Sequence, residues 1–168
     1  MAESGLAHAG YIRAVAGALE AAGVPVADWR ADPGPPRDGW IPFDLARQTR
    51  LHGRVVWDHD AAGAGWSEER GWYLLTVDDP AGRDVRTVRA LEVPVIAAPR
   101  AVARAVAAVA GLADSVATGP PASGPADPEF SGHRAGVVDP AFEEALLRYS
   151  PSRTKSVDGW RTAAEGRG

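Results

Sequence analysis

Five of the six tryptophans fall between Trp29 and Trp72, on runs that alternate apolar and polar residues. A period of two lets a strand bury one face and wet the other, whereas a helix would scatter the same residues around its axis. The clearest run is Asp38-Gly39-Trp40-Ile41-Pro42-Phe43-Asp44-Leu45. Here Ile41, Phe43 and Leu45 share one face, and Trp40, Pro42 and Asp44 the other. Two further runs follow, Arg54-Val55-Val56-Trp57-Asp58 and Gly71-Trp72-Tyr73-Leu74-Leu75. Segments on either side supply mostly small aliphatics, so this region should hold the heart of the fold.

Taken in order, residues 5–22 read as a helix. Ile12, Val15, Ala16 and Leu19 are spaced i, i+3, i+4, i+7. Ser4 is an N-cap candidate, and Gly23-Val24-Pro25 is a stop signal of glycine, apolar residue and proline. Residues 26–32 alternate as a strand and should pair with the Trp40 run across a Pro/Gly turn. Pro42 has no N–H for the ladder, so it belongs at an edge or a bulge. Residues 46–52 fit either a strand extension or a helical turn with Leu45, Gln48 and Leu51 related by threes. Residues 54–60 and 71–77 are read as the next strands, joined by a flexible Ala/Gly-rich excursion at 61–70 that carries Trp66. A fifth, weakly patterned strand is expected within 85–95. Pro99 opens a second helix at a position where its missing N–H costs nothing, with Val102, Val106 and Val109 on one side. Residues 114–138 have linker composition. A short amphipathic helix follows, with Asp139 as cap, Pro140 at its first position and Phe142, Ala145, Leu146 and Tyr149 on one stripe. Residues 151–168 are expected to be disordered.

Composition narrows the chemistry. The net charge of −4 over 168 residues exerts no global pull on nucleic acid or anionic membrane. With no cysteine there is no disulfide framework, thiolate metal site or cysteine nucleophile, and a reducing cytoplasm fits. No secretory leader is visible, and the most apolar window, 97–113, is broken by Arg100 and Arg104, so no membrane span is expected. No metal or cofactor site is expected either. His52 and His59 are not at a metal-helix spacing, and on a strand His59 would point away from Asp58 and Asp60. There is no Gly-x-Ser-x-Gly elbow and no Gly-Lys-Ser/Thr phosphate loop, and the one lysine is Lys155. Arginines interleaved with tryptophans between Trp29 and Trp57 suggest a nucleic-acid surface, but Asp28, Asp32, Asp38, Asp44, Asp58 and Asp60 cancel much of that charge.

The pattern from Tyr11 through Leu19-Glu20-Ala21-Ala22-Gly23-Val24-Pro25-Val26, with Trp29, Asp38-Gly39-Trp40-Ile41, Val56-Trp57-Asp58 and Gly71-Trp72, resembles an uncharacterised domain-of-unknown-function family of actinobacteria over residues 8–112. The resemblance implies no activity, ligand or catalytic residue. The stretch 61–70 departs from it, being longer than a compact hairpin needs. The order of helix, antiparallel strands and helix is also similar to the type III secretion chaperone-like fold, an analogy of topology that implies protein–protein recognition.

The expectation is therefore an α+β fold: an antiparallel four- to five-stranded meander at 5–113, flanked by an N-terminal and a C-terminal helix. A linker at 114–138, a helix at 139–150 and a partly disordered tail at 151–168 complete the chain. The function expected is that of a non-enzymatic cytoplasmic module binding a protein partner or a second copy. The alternatives are a small-molecule pocket or minor enzyme between helix and sheet, near Asp44, Asp58 and His59, and a nucleic-acid adaptor. Candidate binding residues are Trp40, Pro42 and Asp44 on the free face of their strand, with Trp66, Trp72, Phe142, Leu146 and Tyr149.

Overall fold

A computed structural model describes residues 7–112, 129–131 and 139–150. Its elements are α1 (Ala9–Ala21), β1 (Arg30–Asp32), β2 (Asp38–Pro42), α2 (Gln48–His52), β3 (Ala61–Ser67), β4 (Gly71–Asp78), β5 (Val85–Ala90), α3 (Pro99–Val109) and α4 (Pro140–Leu147). The strands form one antiparallel sheet in the order β1-β2-β3-β4-β5. The fold is α+β, a five-stranded meander with helices near both ends of the chain, as the alternating runs imply.

The two terminal helices follow their local signals. α1 buries Tyr11, Ile12, Val15, Ala16 and Leu19. It stops at Gly23, which takes φ 86°, and the Val24 N–H reaches back to the Leu19 carbonyl at 2.9 Å, the six-to-one bond of a glycine-terminated helix. α4 is capped by the Asp139 carboxylate, which accepts from the N–H groups of Ala141 (3.1 Å) and Phe142 (3.4 Å). Its stripe of Phe142, Ala145 and Leu146 is buried in this same domain. Ser4, the residues 114–128 and 132–138 of the linker reading, and the tail 151–168 lie outside the described residues. Within the stretch read as linker, Phe130 makes a two-way main-chain bridge to Ile96 at 2.8 and 3.1 Å, and the Glu129 carboxylate accepts from the Ala98 N–H at the start of α3.

The middle of the sheet corrects the sequence reading. Residues 61–70 are no excursion: Ala61–Ser67 is the central strand, paired to β4 along its length and to β2 from Gly63 to Ser67. Residues 54–60 are not a strand. The Gln48 side chain occupies the place a ladder partner would take, accepting from the Val56 and Trp57 N–H groups (2.9 and 2.7 Å) and donating to the Trp57 carbonyl (3.2 Å). With its main-chain groups satisfied locally, this segment folds Trp57 onto Phe43, ring centroids 5.2 Å apart. The stretch before it takes the helical alternative, a 3₁₀ turn at Leu45–Arg47 running into α2. Leu45 is only partly buried as a result, and Leu51 is exposed while Gln48 is buried. β5 ends at Ala90, short of Pro94. β1 shrinks to three residues, and between the Val26–Phe43 bridge and the Arg30–Trp40 pair the chain is bulged. Pro42 sits opposite that bulge, accepting from the Ala27 N–H at 2.9 Å and owing no donor.

All three longer helices cover one face of the sheet. On that face Ile41, Ala62, Ala64, Trp66, Trp72 and Leu74 are buried; α1 lies against β1 and β2, and α3 and α4 both pack against α1. Val102, Ala103, Val106 and Ala107 form the buried stripe of α3, whereas Val109, expected on that stripe, is 40% exposed. The interior aromatic groups are tied by hydrogen bonds. The Tyr11 hydroxyl donates to the Ala97 carbonyl (2.7 Å) and accepts from Trp72 Nε1 (2.9 Å) and the Ala97 N–H (2.8 Å); burial raises its pKa well above the ordinary phenol value, against the lowering effect of the Trp72 and Ala97 bonds. Trp66 Nε1 donates to the Val95 carbonyl at 2.6 Å. One ion-pair cluster closes the end of the sheet: Arg37 binds Glu68 in the β3–β4 turn and Glu143 on α4. Glu143 is therefore held by the domain.

Candidate functional site

The pleat sends alternate residues of each strand to opposite faces, so the register defines what the uncovered face carries. Across its middle run Arg30, Trp40, Gly65, Tyr73 and Ala90, and beside them Pro42, Gly63, Leu75 and Val88. Val77 and Arg86 follow at one end, Asp32, Asp38 and Ser67 at the other. Trp40, Pro42, Tyr73, Leu75 and Val77 are half-buried, and Val88 is 64% exposed.

Two glycines shape this face. A Cβ at Gly63 would come within 2.5 and 2.6 Å of the Trp40 ring, and one at Gly65 would overlap the Tyr73 ring. Both aromatic rings therefore lie down on the sheet where the strand has no side chains of its own. The outcome is a flat aromatic–aliphatic surface. A solvent-open groove of about 650 Å³ crosses it, lined by Asp38, Tyr73, Leu75, Arg86 and Val88 among others. Burial against the sheet raises the Tyr73 pKa, Asp38 raises it further and Arg70 opposes them, so the ring edge stays a neutral hydroxyl.

The structure divides the eight candidate residues into two groups. Trp40 and Pro42 lie on the open face, as the alternation places them. Trp66 and Trp72 are cross-strand partners on the helix-covered face, at 0% and 1% exposure, because the central strand turns Trp66 inward and Trp72 follows from its register. Phe142 and Leu146 are fully buried; Phe142 stacks on Trp66 with centroids 6.4 Å apart. These four side chains belong to the core and offer no platform to a partner. Tyr149 is half-buried, its ring 4.9 Å from that of Tyr11. Asp44 accepts from Arg47 at 2.9 Å and sits outside the open face. Tyr73, Leu75, Val77 and Val88 were missed by the sequence reading. The signal for them was present: Trp72-Tyr73-Leu74-Leu75 is apolar on both faces, the pattern of a strand covered on both sides.

The residues suggested for other chemistry are employed elsewhere. His59 pairs with Asp78 at 3.0 Å while Asp44 pairs with Arg47, so they build no common site. Arg47 also binds Glu20, whose pKa is raised by partial burial but lowered on balance by the Arg47 bond and the Val26 N–H. Among the described residues no three His, Cys, Asp or Glu side chains lie close enough together to hold a metal ion, and no helix is long and apolar enough to cross a membrane. Between helices and sheet the space is filled by Trp66, Trp72, Tyr11 and Phe142, all almost wholly buried.

No curated protein and no solved structure matches the chain. A family model described as a family of unknown function, DUF6292, matches residues 11–108. That span runs from Tyr11 on α1 to Ala108 in the last turn of α3, taking in the whole sheet and its open face, and on it the chain belongs to the DUF6292 family.

Proposed function

We propose that this chain is a non-enzymatic protein-recognition module, that the open face of its sheet is the docking surface, and that a second copy of the chain occupies it. The observation that supports this is the composition of β4. Its outward set, Tyr73, Leu75 and Val77, is as apolar as its inward set, Trp72, Leu74 and Thr76, yet only the inward set is covered by helices. A sheet that leaves such a row open is built to be covered by another protein surface. Absence of cysteine from the sequence fits a cytoplasmic setting.

A second copy fits because the face is self-complementary in charge. Asp32 and Asp38 stand at one corner and Arg86 at the opposite one. A two-fold axis along the other diagonal lays each acidic corner over the partner's basic corner and crosses the strands near a right angle, a known mode of sheet packing. Five strands at about 4.8 Å spacing span roughly 19 Å, so the face projects on the order of 400 Å² per copy. That is about half of a standard interface per partner, and the association is accordingly weak and reversible.

Sedimentation equilibrium of the full chain tests this, from about 10 μM to about 1 mM. The wild type should pass reversibly from monomer to dimer. Val88→Asp, which places a carboxylate on an already exposed position, should weaken the dimer about tenfold or more without lowering thermal stability. A wild type that stays monomeric throughout, or a Val88→Asp dimer of unchanged strength, overturns the reading.

A further inference from the structure

The sheet has two edges, and they are not alike. β1 is three residues long and runs into Pro33-Gly34-Pro35-Pro36, the short, proline-blocked edge with which proteins prevent further pairing. β5 is six residues long, and every one of them is exposed. Among the described residues its only strand partner is β4. The Leu91 N–H donates to the Trp72 carbonyl at 3.0 Å. By the alternation of an antiparallel ladder, Arg89, Thr87 and Val85 also direct their main-chain groups to β4. The N–H and C=O groups of Arg86, Val88 and Ala90 consequently point out of the sheet, unpaired among the described residues.

Charge marks this edge too. In a chain of net charge −4, Arg83, Arg86 and Arg89 lie within seven residues at the free edge. Arg86 meets Asp84 at 3.0 Å, with both side chains more than half exposed (65% and 54%), a surface pair that another carboxylate can replace at little cost. Arg83 and Arg89 have no carboxylate partner among the described residues. Beside the edge, on the helix-covered side, lies a groove of about 400 Å³ between β5 and α3, lined by Arg89, Leu91, Glu92, Ala105 and Val109. Its apolar wall includes the exposed Val109, the residue of α3 that leaves the core stripe.

We infer that the free edge of β5 binds an extended acidic segment of another protein as a sixth antiparallel strand. The segment's main chain bonds to Arg86, Val88 and Ala90. Its carboxylates meet Arg83, Arg86 and Arg89, and one apolar side chain on the α3 side enters the groove against Ala105 and Val109. Strand addition of this kind takes affinity from main-chain bonds and specificity from alternate side chains. A second copy is the wrong occupant, since edge-to-edge pairing would bring the same three arginines of both chains to one seam. A nucleic-acid strand would satisfy the arginines but not alternating main-chain donors and acceptors, and Asp78 and Asp79 precede the basic strip, Asp84 lies within it and Glu92 follows it. This edge shares Arg86, Val88 and Ala90 with the open face, but the segment is held by their main-chain groups, which the self-association proposed above does not use.

Fluorescence anisotropy on the full chain tests the inference with a labelled ten-residue peptide of Glu carrying a single central Val, so that carboxylates lie on both faces of the extended chain. The same peptide N-methylated at alternate residues, on the edge that would meet β5, keeps its charge but cannot donate. The expected result is saturable binding of the first peptide and loss of roughly tenfold or more in affinity for the second. Arg86→Gln with Arg89→Gln should weaken binding to a similar degree, and Trp40→Ser should leave it unchanged even if it abolishes self-association. Val88→Pro, which removes only an outward N–H, should also weaken binding; if that variant fails to fold, the methylated peptide still decides. Absence of binding at millimolar peptide overturns the proposal. Equal binding of both peptides, or competition by an oligonucleotide of equal charge at equal strength, reduces the edge to a charged patch and overturns it as well.

Discussion

Two glycines on one helix should respond oppositely to the same substitution. Gly17 is exposed in the middle of α1, and a Cβ there would meet nothing within 4 Å. Gly17→Ala should therefore return the full difference in helix propensity, about 0.8–1 kcal/mol of added stability. Gly10, in the first turn of the same helix, lies under the end of the C-terminal segment. A Cβ there would stand 3.0 Å from the Tyr149 carbonyl carbon and 3.1 Å from Ser150 Cα, and would press into the carbonyl oxygen. The obstacle is backbone, which cannot rotate aside as a side chain would, so Gly10→Ala must lift Tyr149 and Ser150 off α1. The ceiling on the cost is the docking of α4, where Phe142 and Leu146 are each fully buried. At about 1.5–3 kcal/mol per side chain this amounts to roughly 3–6 kcal/mol. Partial displacement predicts a net loss of about 1–3 kcal/mol. Urea unfolding followed by circular dichroism measures both changes. Trypsin cleavage after the exposed Arg148 reports the displacement directly and should accelerate in Gly10→Ala alone. If Gly10→Ala stabilises as Gly17→Ala does, the last helix does not rest on α1 and the packing of this end of the protein is wrong.

Other consequences can be read in the same experiments. Gln48→Leu keeps the buried volume but abandons the Val56 and Trp57 N–H groups, and should cost about 2–3 kcal/mol with faster amide exchange at residues 56 and 57. Arg37→Met leaves Glu68 and Glu143 without the cation they share, and should cost about 2–4 kcal/mol and loosen α4; a silent Arg37→Met would mean the cluster holds nothing. His8 is fully buried, its Nε2 donates to the Asp38 carbonyl at 2.9 Å, and its Nδ1 has no hydrogen-bond partner among the described residues. Burial lowers its pKa, against the Asp38 bond and with help from Arg37. The unfolded chain therefore takes up the proton first as pH falls. The stability His8 contributes is complete above its unfolded value of about 6.5 and is lost as pH falls from there toward the lower folded value. Thermal melts between pH 7.5 and 5 should show this slope, and His8→Gln should flatten it.

What was legible in the sequence was what local chemistry decides. α1 with its Gly23 stop and α4 with its Asp139 cap are set by spacing and caps that lie within a few residues of each other. The β1–β2 pairing and the outward aim of Trp40 follow from strict alternation. What escaped was decided by partners distant in the chain. Ala-Ala-Gly-Ala-Gly looks like a loop because it lacks β-formers. It is a central strand because Ala62 and Ala64 must be small beneath the helices, and Gly63 and Gly65 must be bare beneath Trp40 and Tyr73. Conversely, Val55-Val56-Trp57 has strand propensity but is claimed by Gln48. Misplacing β3 then misassigned Trp66 and Trp72, since a register once shifted turns every side chain to the wrong face.

The claim that Trp40 marks a surface built to be covered, while Trp66 and Trp72 are core, is tested most directly by fluorine NMR on the full chain labelled with 5-fluorotryptophan. Trp40→Phe, Trp66→Phe and Trp72→Phe assign the three resonances, and the shift between H₂O and D₂O reports the solvent exposure of each. In dilute protein the Trp40 resonance should show the solvent shift and those of Trp66 and Trp72 should not. On concentration the Trp40 shift should shrink while the other two stay constant. A Trp40 signal indifferent to concentration, or a solvent-shifted Trp66, would contradict the account.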